Sequence, residues 1–348
     1  MAKLARIGVD TAKNVFHVHG VDEAEQPVLI RQLRRKQFLA FFAKLEATKV
    51  GLEACGASHH WGRELEKLGH KVVLLPPQEA KRYVERNKND AADASAICEA
   101  MSRPRVQNRF VVVKSAEQSA AQMLLGMRDS LVRRRTQLSN TIRGYAAEFG
   151  VVTGKGLVRI EPLLASLAAH SDVPELAKEM FVLLGQEFED IGRKLAAVEK
   201  KVMAWHRRNE VSRRLAEIPT VGPIGACLFA IKIPNPSIFS CGRSCAAWLG
   251  LTPKDHSSGG KQRHGGITRA GDEALRAALV CGATSYIGYV RRGRTKPSPW
   301  LAELLKRKPP KHAAVALANK TARIAWKLMV SGQRYQSSPA TAHSAAAA

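Results

Sequence analysis

Leu4-Ala-Arg-Ile-Gly-Val-Asp10 is a short apolar run that ends on a carboxylate, and Thr-Ala-Lys-Asn14 after it is turn chemistry. A second run, Lys49-Val-Gly-Leu-Glu53, ends the same way. Two further acids, Asp90 and Asp93, stand three apart in Lys88-Asn-Asp-Ala-Ala-Asp-Ala94, where the pattern turns helical, so they share one helix face. Working outward, strands are expected over residues 4–9, 15–20, 28–31, 49–53 and 71–75, and helices over 36–45, 61–68 and 90–101. Turn residues at 10–14 and 21–27 separate the first three strands. The order of elements is therefore β-β-β-α-β-α-β-α.

That is the ribonuclease-H-like order, and it predicts an α/β domain over residues 1–110. In such a sheet the first strand is central and the fourth lies beside it, which would bring Asp10 and Glu53 together. A helix packed on the sheet could deliver Asp90 and Asp93 to the same point. Four converging carboxylates repel one another unless cations neutralise them. Magnesium suits them, being a hard ion that takes carboxylates and is completed by phosphate oxygens. Two such ions would clamp the attacking and leaving oxygens of a phosphodiester. Each acid also has a local reading. Asp10 fits a turn after a strand, and Asp90 fits a helix N-cap. Glu53 lacks an obvious local role, and the joint pattern favours the metal site.

The chain has 348 residues, with 55 Lys+Arg against 30 Asp+Glu and a formal net charge of +25. Self-repulsion of that size is usually offset by a polyanionic partner, with nucleic acid the first candidate. The length supports two domains with their own cores. No apolar stretch approaches the roughly 18 residues of a membrane span, and the opening residues predict no leader, so a cytoplasmic, nucleoid-associated protein is expected. The six cysteines form no CxxC pair, and buried reduced thiols are the expectation.

Beyond residue 110 the texture changes. Apolar residues recur at helical spacing through Met123, Leu124, Met127, Leu131, Leu138 and Ile142, and again from Leu176 to Val202. Residues 111–214 read as a helical hairpin or coiled coil, with the bend at 151–157; an ordinary helical core is the competing reading. Arg133, Arg134 and Arg135 on the first helix are either a solvated face or a phosphate contact. Residues 215–335 read as a helical C-terminal domain. In it, Ile218-Pro-Thr-Val-Gly-Pro-Ile-Gly225 matches a helix-hairpin-helix turn, whose glycines permit a tight turn and whose backbone N–H groups could face phosphate. An ordinary turn between helices is the alternative. Lys254-Asp-His-Ser-Ser-Gly-Gly-Lys-Gln-Arg-His264 reads as a flexible phosphate-binding loop, with Lys254, Lys261, Arg263 and the following Arg269 as contacts; a solvated surface loop is the alternative. A serine there could be a nucleophile only with a base, a metal or cations beside it. Between residues 291 and 330 there are eleven Lys/Arg and one acid, Glu303, which argues for a nucleic-acid surface. The tail over 336–348 is Ser/Ala-rich and expected to be disordered.

Taken together the motifs resemble the DEDD transposases of the insertion-sequence "one-ten" and "eleven-eleven" groups, recombinases guided by a bridge RNA. The residues that carry the likeness are Ile7-Gly-Val-Asp10-Thr-Ala-Lys13, Leu52-Glu53-Ala54, Lys88-Asn-Asp90-Ala-Ala-Asp93, Ile218 to Gly225, Leu249-Gly-Leu-Thr-Pro253, Ser257-Ser-Gly-Gly260 and Arg269-Ala-Gly271. The resemblance implies a catalytic magnesium tetrad of Asp10, Glu53, Asp90 and Asp93. It also implies a serine transposase domain in which Ser258 aligns with the nucleophile, with Ser257 its neighbour in doubt. A covalent phosphoserine bond to DNA, strand exchange and religation would follow. Partners implied are donor and target DNA, a noncoding guide RNA, and further copies in a homo-oligomer, dimer or tetramer. Aromatics at 6% suit a protein that holds backbone and delegates sequence to base pairing. Two other functions compete: a RuvC-like junction-resolving nuclease that uses water, and a noncatalytic nucleic-acid scaffold.

Overall fold

Strand β1 (Arg6–Thr11) is the axis of a five-stranded mixed sheet. A computed structural model of the chain describes residues 3–84, 90–107, 110–257, 261 and 263–336. After β1 come β2 (Val15–Val21), β3 (Pro27–Arg34), α1 (Phe38–Phe42), β4 (Lys49–Glu53), α2 (Ser58–Lys67), β5 (Lys71–Leu75), α3 (Pro77–Ala80) and α4 (Asp90–Ser102). The sheet order is β3-β2-β1-β4-β5. β1 runs antiparallel to β2 and parallel to β4, as the sequence order of elements predicts.

Alternation along β1 decides which residue meets what. Ile7 and Val9 point to one face, where they are fully buried with Phe16, Phe38, Phe42 and Trp61. The Phe16 ring meets Phe38 at 4.7 Å and Trp61 at 5.0 Å, edge to face. Burying each such side chain contributes about 1.5–3 kcal/mol, and this face supplies one apolar cluster of the unit, Val73, Leu75, Ile97 and Met101 forming another on the α4 side. Arg6, Gly8 and Asp10 point to the other face, which α4 covers. A Cβ on Gly8 would stand 2.3 Å from the Ala94 carbonyl and 2.5 Å from the Cys98 nitrogen. One on Gly51 would meet the Met101 sulfur at 2.1 Å. Two strand glycines and an alanine-rich helix thus let α4 lie directly on the sheet. The Arg6 guanidinium donates to the Cys98 carbonyl at 2.8 Å and pairs with Glu25, which pins the helix lengthwise.

The chain divides into two compact units, Met1–Ser119 with Ile233–Ala247, and Ala120–Lys232 with Trp248–Ala348. A short helix α5 (Pro104–Gln107) precedes the long α6 (Ala116–Glu148). α6 runs antiparallel to α8 (Glu175–Arg208), and the two are linked by the ion pairs Arg128–Glu199 and Arg134–Glu187. The connection is longer than the expected bend. It contains a ten-residue helix, α7 (Ile160–Ala169), because Ile160, Leu163 and Leu167 recur at helical spacing and are buried.

Next come α9 (Glu210–Leu215), capped by the Asn209 side chain, and α10 (Pro223–Lys232). The turn between them is held by a buried Thr220–Thr321 hydroxyl pair at 2.7 Å. After α11 (Gly242–Trp248), β6 (Pro253–Asp255) and β7 (His264–Ile267) pair as an antiparallel hairpin on either side of the expected flexible loop, of which residues 258–260 and 262 lie outside the described residues. Its base is pinched by glycine: Gly271, at φ +72°, lies so near the Trp248 carbonyl that a Cβ would stand 1.9 Å from it. Helices α12 (Glu273–Arg291), α13 (Pro299–Arg307) and α14 (Pro310–Ser331) complete the unit, with the Ala313, Ala314, Ala318, Ala322 and Ala325 face of α14 buried. Among the described residues no helix is long and apolar enough to cross a membrane. The expected tail beyond Gln336 lies outside the described residues. All six cysteines are free, but only Cys98, Cys227 and Cys245 are buried; Cys55, Cys241 and Cys281 are exposed, contrary to the expectation that the thiols are interior.

Candidate metal centre and serine loop

Asp10 leaves β1 on the α4 side. Asp90 and Asp93, one helical turn apart at the start of α4, face it. The three offer carboxylate oxygens that all lie within 4.8 Å of one another. Burial holds the Asp10 carboxyl above its ordinary value, and the charges of Asp93, Asp90 and Glu53 push it the same way. Glu53 follows from register: Val9 pairs with Leu52, so Asp10 and Glu53 end adjacent parallel strands. It shares the face of Gly51, which also looks onto α4. Its carboxylate stands outside the tight trio, half-buried, while its charge still reaches Asp10.

One neighbour escaped the sequence reading. His17 sits directly across the β1–β2 ladder from Asp10 and so shares its face. Its Nδ1 is 4.0 Å from a carboxylate oxygen of Asp90 and is enclosed without a hydrogen-bond partner. The signal was present: a tight turn at 12–14 pairs residue 11 with 16 and 10 with 17 once the hairpin is assumed. Crowded carboxylates, one of them desolvated, with this imidazole beside them, are a hard-oxygen donor set that fits a divalent cation.

The serine loop lies in the other unit. Ser257 is already engaged. Its backbone N–H donates to Asp255 Oδ1 at 2.9 Å, its hydroxyl donates to the same carboxylate, and its oxygen accepts from the Arg263 backbone N–H at 3.1 Å. These bonds tie the two hairpin strands together. Ser258 lies outside the described residues. Lys254, Lys261, Arg263 and Arg269 are exposed, and Arg269 carries a positive φ of 57° beside the pinched base.

The other expected contacts divide. Gly222 and Gly225 do not adopt positive φ, so the turn does not need them for backbone freedom. Gly222 has open space where a side chain would be, and both border a mainly apolar groove of about 640 Å³. Arg133 pairs with Asp129 and Arg134 with Glu187, while Arg135 is half-buried with its Nε enclosed. Part of that charge therefore serves the helices themselves, where exposed pairs contribute little.

An acidic cluster at the carboxyl end of a mixed sheet, in a chain this basic, is an arrangement that metal-assisted chemistry on nucleic-acid phosphates could use. Known families narrow it. A DEDD transposase model of the IS110 type matches residues 7–149, and the transposase IS116/IS110/IS902 family matches residues 212–296. A Sinorhizobium fredii protein named as transposase y4pF/y4sB is 57% identical over 96% of this chain and 86% of its own. A family 20 transposase of Pseudomonas aeruginosa is 44% identical over 94% of this chain and 97% of its own. The transposase for insertion sequence element IS1111A of Coxiella burnetii is 36% identical over 97% and 92%. The chain belongs to the IS110 family of transposases, and is a DNA transposase enzyme. Membership implies a divalent metal ion and DNA as partner.

Proposed function

We propose that the protein cuts and rejoins donor and target DNA through a phosphoserine bond at Ser258, assisted by magnesium at Asp10, Glu53, Asp90 and Asp93 on a ribonuclease-H-like, RuvC-like sheet. The meeting of Asp10, Asp90 and Asp93 from sequence positions eighty apart is the observation that carries the reading. Bound magnesium would neutralise these acids and draw phosphate oxygens toward them. The Ser258 oxygen would form a bond to phosphorus as a deoxyribose oxygen leaves; the serine proton passes to that oxygen or to solvent. Religation reverses the exchange, so the number of phosphate ester bonds is conserved. Ser257 supports this assignment by being occupied: its hydroxyl already serves Asp255 and Arg263. The turn at 218–225 is read as a helix-hairpin-helix contact through Gly222, which has open space beside it, and Gly225. Lys254, Lys261, Arg263 and Arg269 are read as phosphate contacts on the hairpin, and Arg133 to Arg135 as a second set. A noncoding guide RNA would supply target choice, and a coiled coil of α6 and α8 would serve a homo-oligomer.

The test is a denaturing gel of protein with element-end DNA, guide RNA and magnesium. A covalent protein–DNA adduct should form, persist in Ser257→Ala and vanish in Ser258→Ala and Asp10→Asn. Nicking that survives Ser258→Ala without an adduct would replace this reading with a water-using junction nuclease.

A further inference from the structure

The turn that follows Asp10 is fastened by the residue just past the end of β3. The Arg35 backbone N–H donates to the Asn14 carbonyl at 2.8 Å, and its guanidinium donates to the Lys13 carbonyl at 3.2 Å. The guanidinium also lies 4.8 Å from the ring centre of Trp61. Trp61 is itself fixed, being 5% exposed and packed edge to face on Phe16 and Phe38. Arg35 is thus seated on the aromatic core while remaining exposed, as is Lys13. A guanidinium has five N–H donors, and a single side-chain bond plus a ring contact leaves most of them facing out. Among the described residues no carboxylate pairs with Arg35 or Lys13, although many other cations of this chain are paired. Lys13 is three residues from Asp10, at most about 10 Å along an extended chain, and at the same end of the sheet.

Lys13 stands near the acidic cluster, and Arg35, seated on the opposite, aromatic face, holds the Lys13 turn. Two such cations without a carboxylate partner have one natural ligand class: a polyanion whose charged groups repeat along its length. We propose that Arg35 and Lys13 form a phosphate clamp that grips the DNA strand beside the one held at the Asp10 cluster. The clamp rests on the nucleic-acid reading of that cluster. Arg35 supplies a planar, rigid donor fork, and Lys13 a mobile charge on the turn that Arg35 holds. Cluster acids repel the strand in the absence of metal; the clamp offsets this at a phosphate one or two nucleotides away. DNA, not RNA, is the occupant, because the clamp adjoins the cluster at which DNA is cut.

The experiment measures binding of fluorescein-labelled single-stranded DNA to the full chain by anisotropy, in calcium, across a salt series. Each phosphate contact on a single strand contributes about 0.7 to the slope of log affinity against log salt. Arg35→Ala should lower the slope by about 0.7, and Lys13→Ala with Arg35→Ala by about 1.4, while Arg35→Lys retains it. Lys67→Ala, whose lysine pairs with Glu64 on α2, should leave it unchanged. Wild-type slope in the double variant overturns the clamp. So does loss of slope for single-stranded RNA alone, or a slope lost in Arg35→Ala and not restored by Arg35→Lys, which marks a purely structural role. Calcium-dependent thermal stabilisation, lost in Asp10→Asn, reports separately on the acidic cluster; its absence in wild type would sink the metal reading without touching the slope result.

Discussion

Replacing Gly8 with alanine tests whether the candidate metal centre depends on how closely α4 lies on β1. The added methyl would stand 2.3 Å from the Ala94 carbonyl and 2.5 Å from the Cys98 nitrogen, both helix backbone. Ordinary contact begins near 3.4 Å, so the helix must retreat by about 1 Å. It cannot slide aside freely, since Arg6 binds the Cys98 carbonyl and Met101 sits against Gly51. Overpacking of this kind costs about 1–3 kcal/mol. For a unit of this size that is a fall of roughly 5–10 °C in melting temperature. Asp90 and Asp93 ride on α4, so they move away from Asp10 as well. A misplacement of about 1 Å at a reacting centre costs on the order of a hundredfold in rate. Calorimetry would read the first effect, and a divalent-ion titration of melting temperature and strand cleavage the second. Gly51→Ala is the contrast. Its methyl meets the end of a flexible Met101 side chain, so it should cost less and shift the metal response less. A Gly8→Ala protein that melts like wild type and takes up metal at the same concentration would refute the reasoning, as would a larger defect in Gly51→Ala.

Two titrations follow from the same structure. Asp10 is raised above 3.8 by burial first and then by Asp93, Asp90 and Glu53, so its protonated form is favoured in the folded protein. That advantage is complete below 3.8 and is lost as pH rises through the folded value. In chelator, the melting temperature of Asp10→Asn minus that of wild type should grow from pH 4 toward neutrality, and divalent ion should reverse it; a difference flat with pH would contradict this. His59 behaves oppositely. Burial, then Lys114 and Arg63, lower it from 6.5 to about 4, so the folded ring is neutral and accepts from the Lys114 backbone N–H at 3.1 Å. Its contribution is full above pH 6.5 and lost as pH falls toward 4, because only the unfolded ring takes up a proton. His59→Gln should flatten the acid limb of stability in that window, and an unchanged limb would remove His59 as its source.

Much of the first unit was legible because strand and helix periods differ so plainly there. Five strands with α1, α2 and α4 stand in the expected order, the short α3 being an unexpected addition, and Asp10 and Glu53 fall at or next to strand ends where apolar runs stop on acids. Boundaries moved where packing intervened. β3 extends to Arg34, because its ladder with β2 continues to Val15, and the helix expected over 36–45 shrinks to a short α1. In the second unit composition did not show the strand pairing on either side of the glycine- and serine-rich loop. There β6 and β7 pair, helped by the bonds of Ser257 to Asp255 and Arg263, while residues 258–260, on which the loop reading falls, lie outside the described residues. The exposed half of the cysteines was likewise invisible, since a lone thiol carries no periodic signal.

Local pattern alone determined the element order, the basic character, the acids as a set and the family likeness, because periodicity, charge and motif spacing are properties of neighbours in the chain. Tertiary structure decided how tightly the acids meet. Asp10 joins Asp90 and Asp93 within 4.8 Å while Glu53 acts from outside the trio, and His17 enters from the facing strand. Those outcomes depend on the depth at which one helix settles onto two glycines, and steric contact between residues ninety apart is set by the folded chain as a whole.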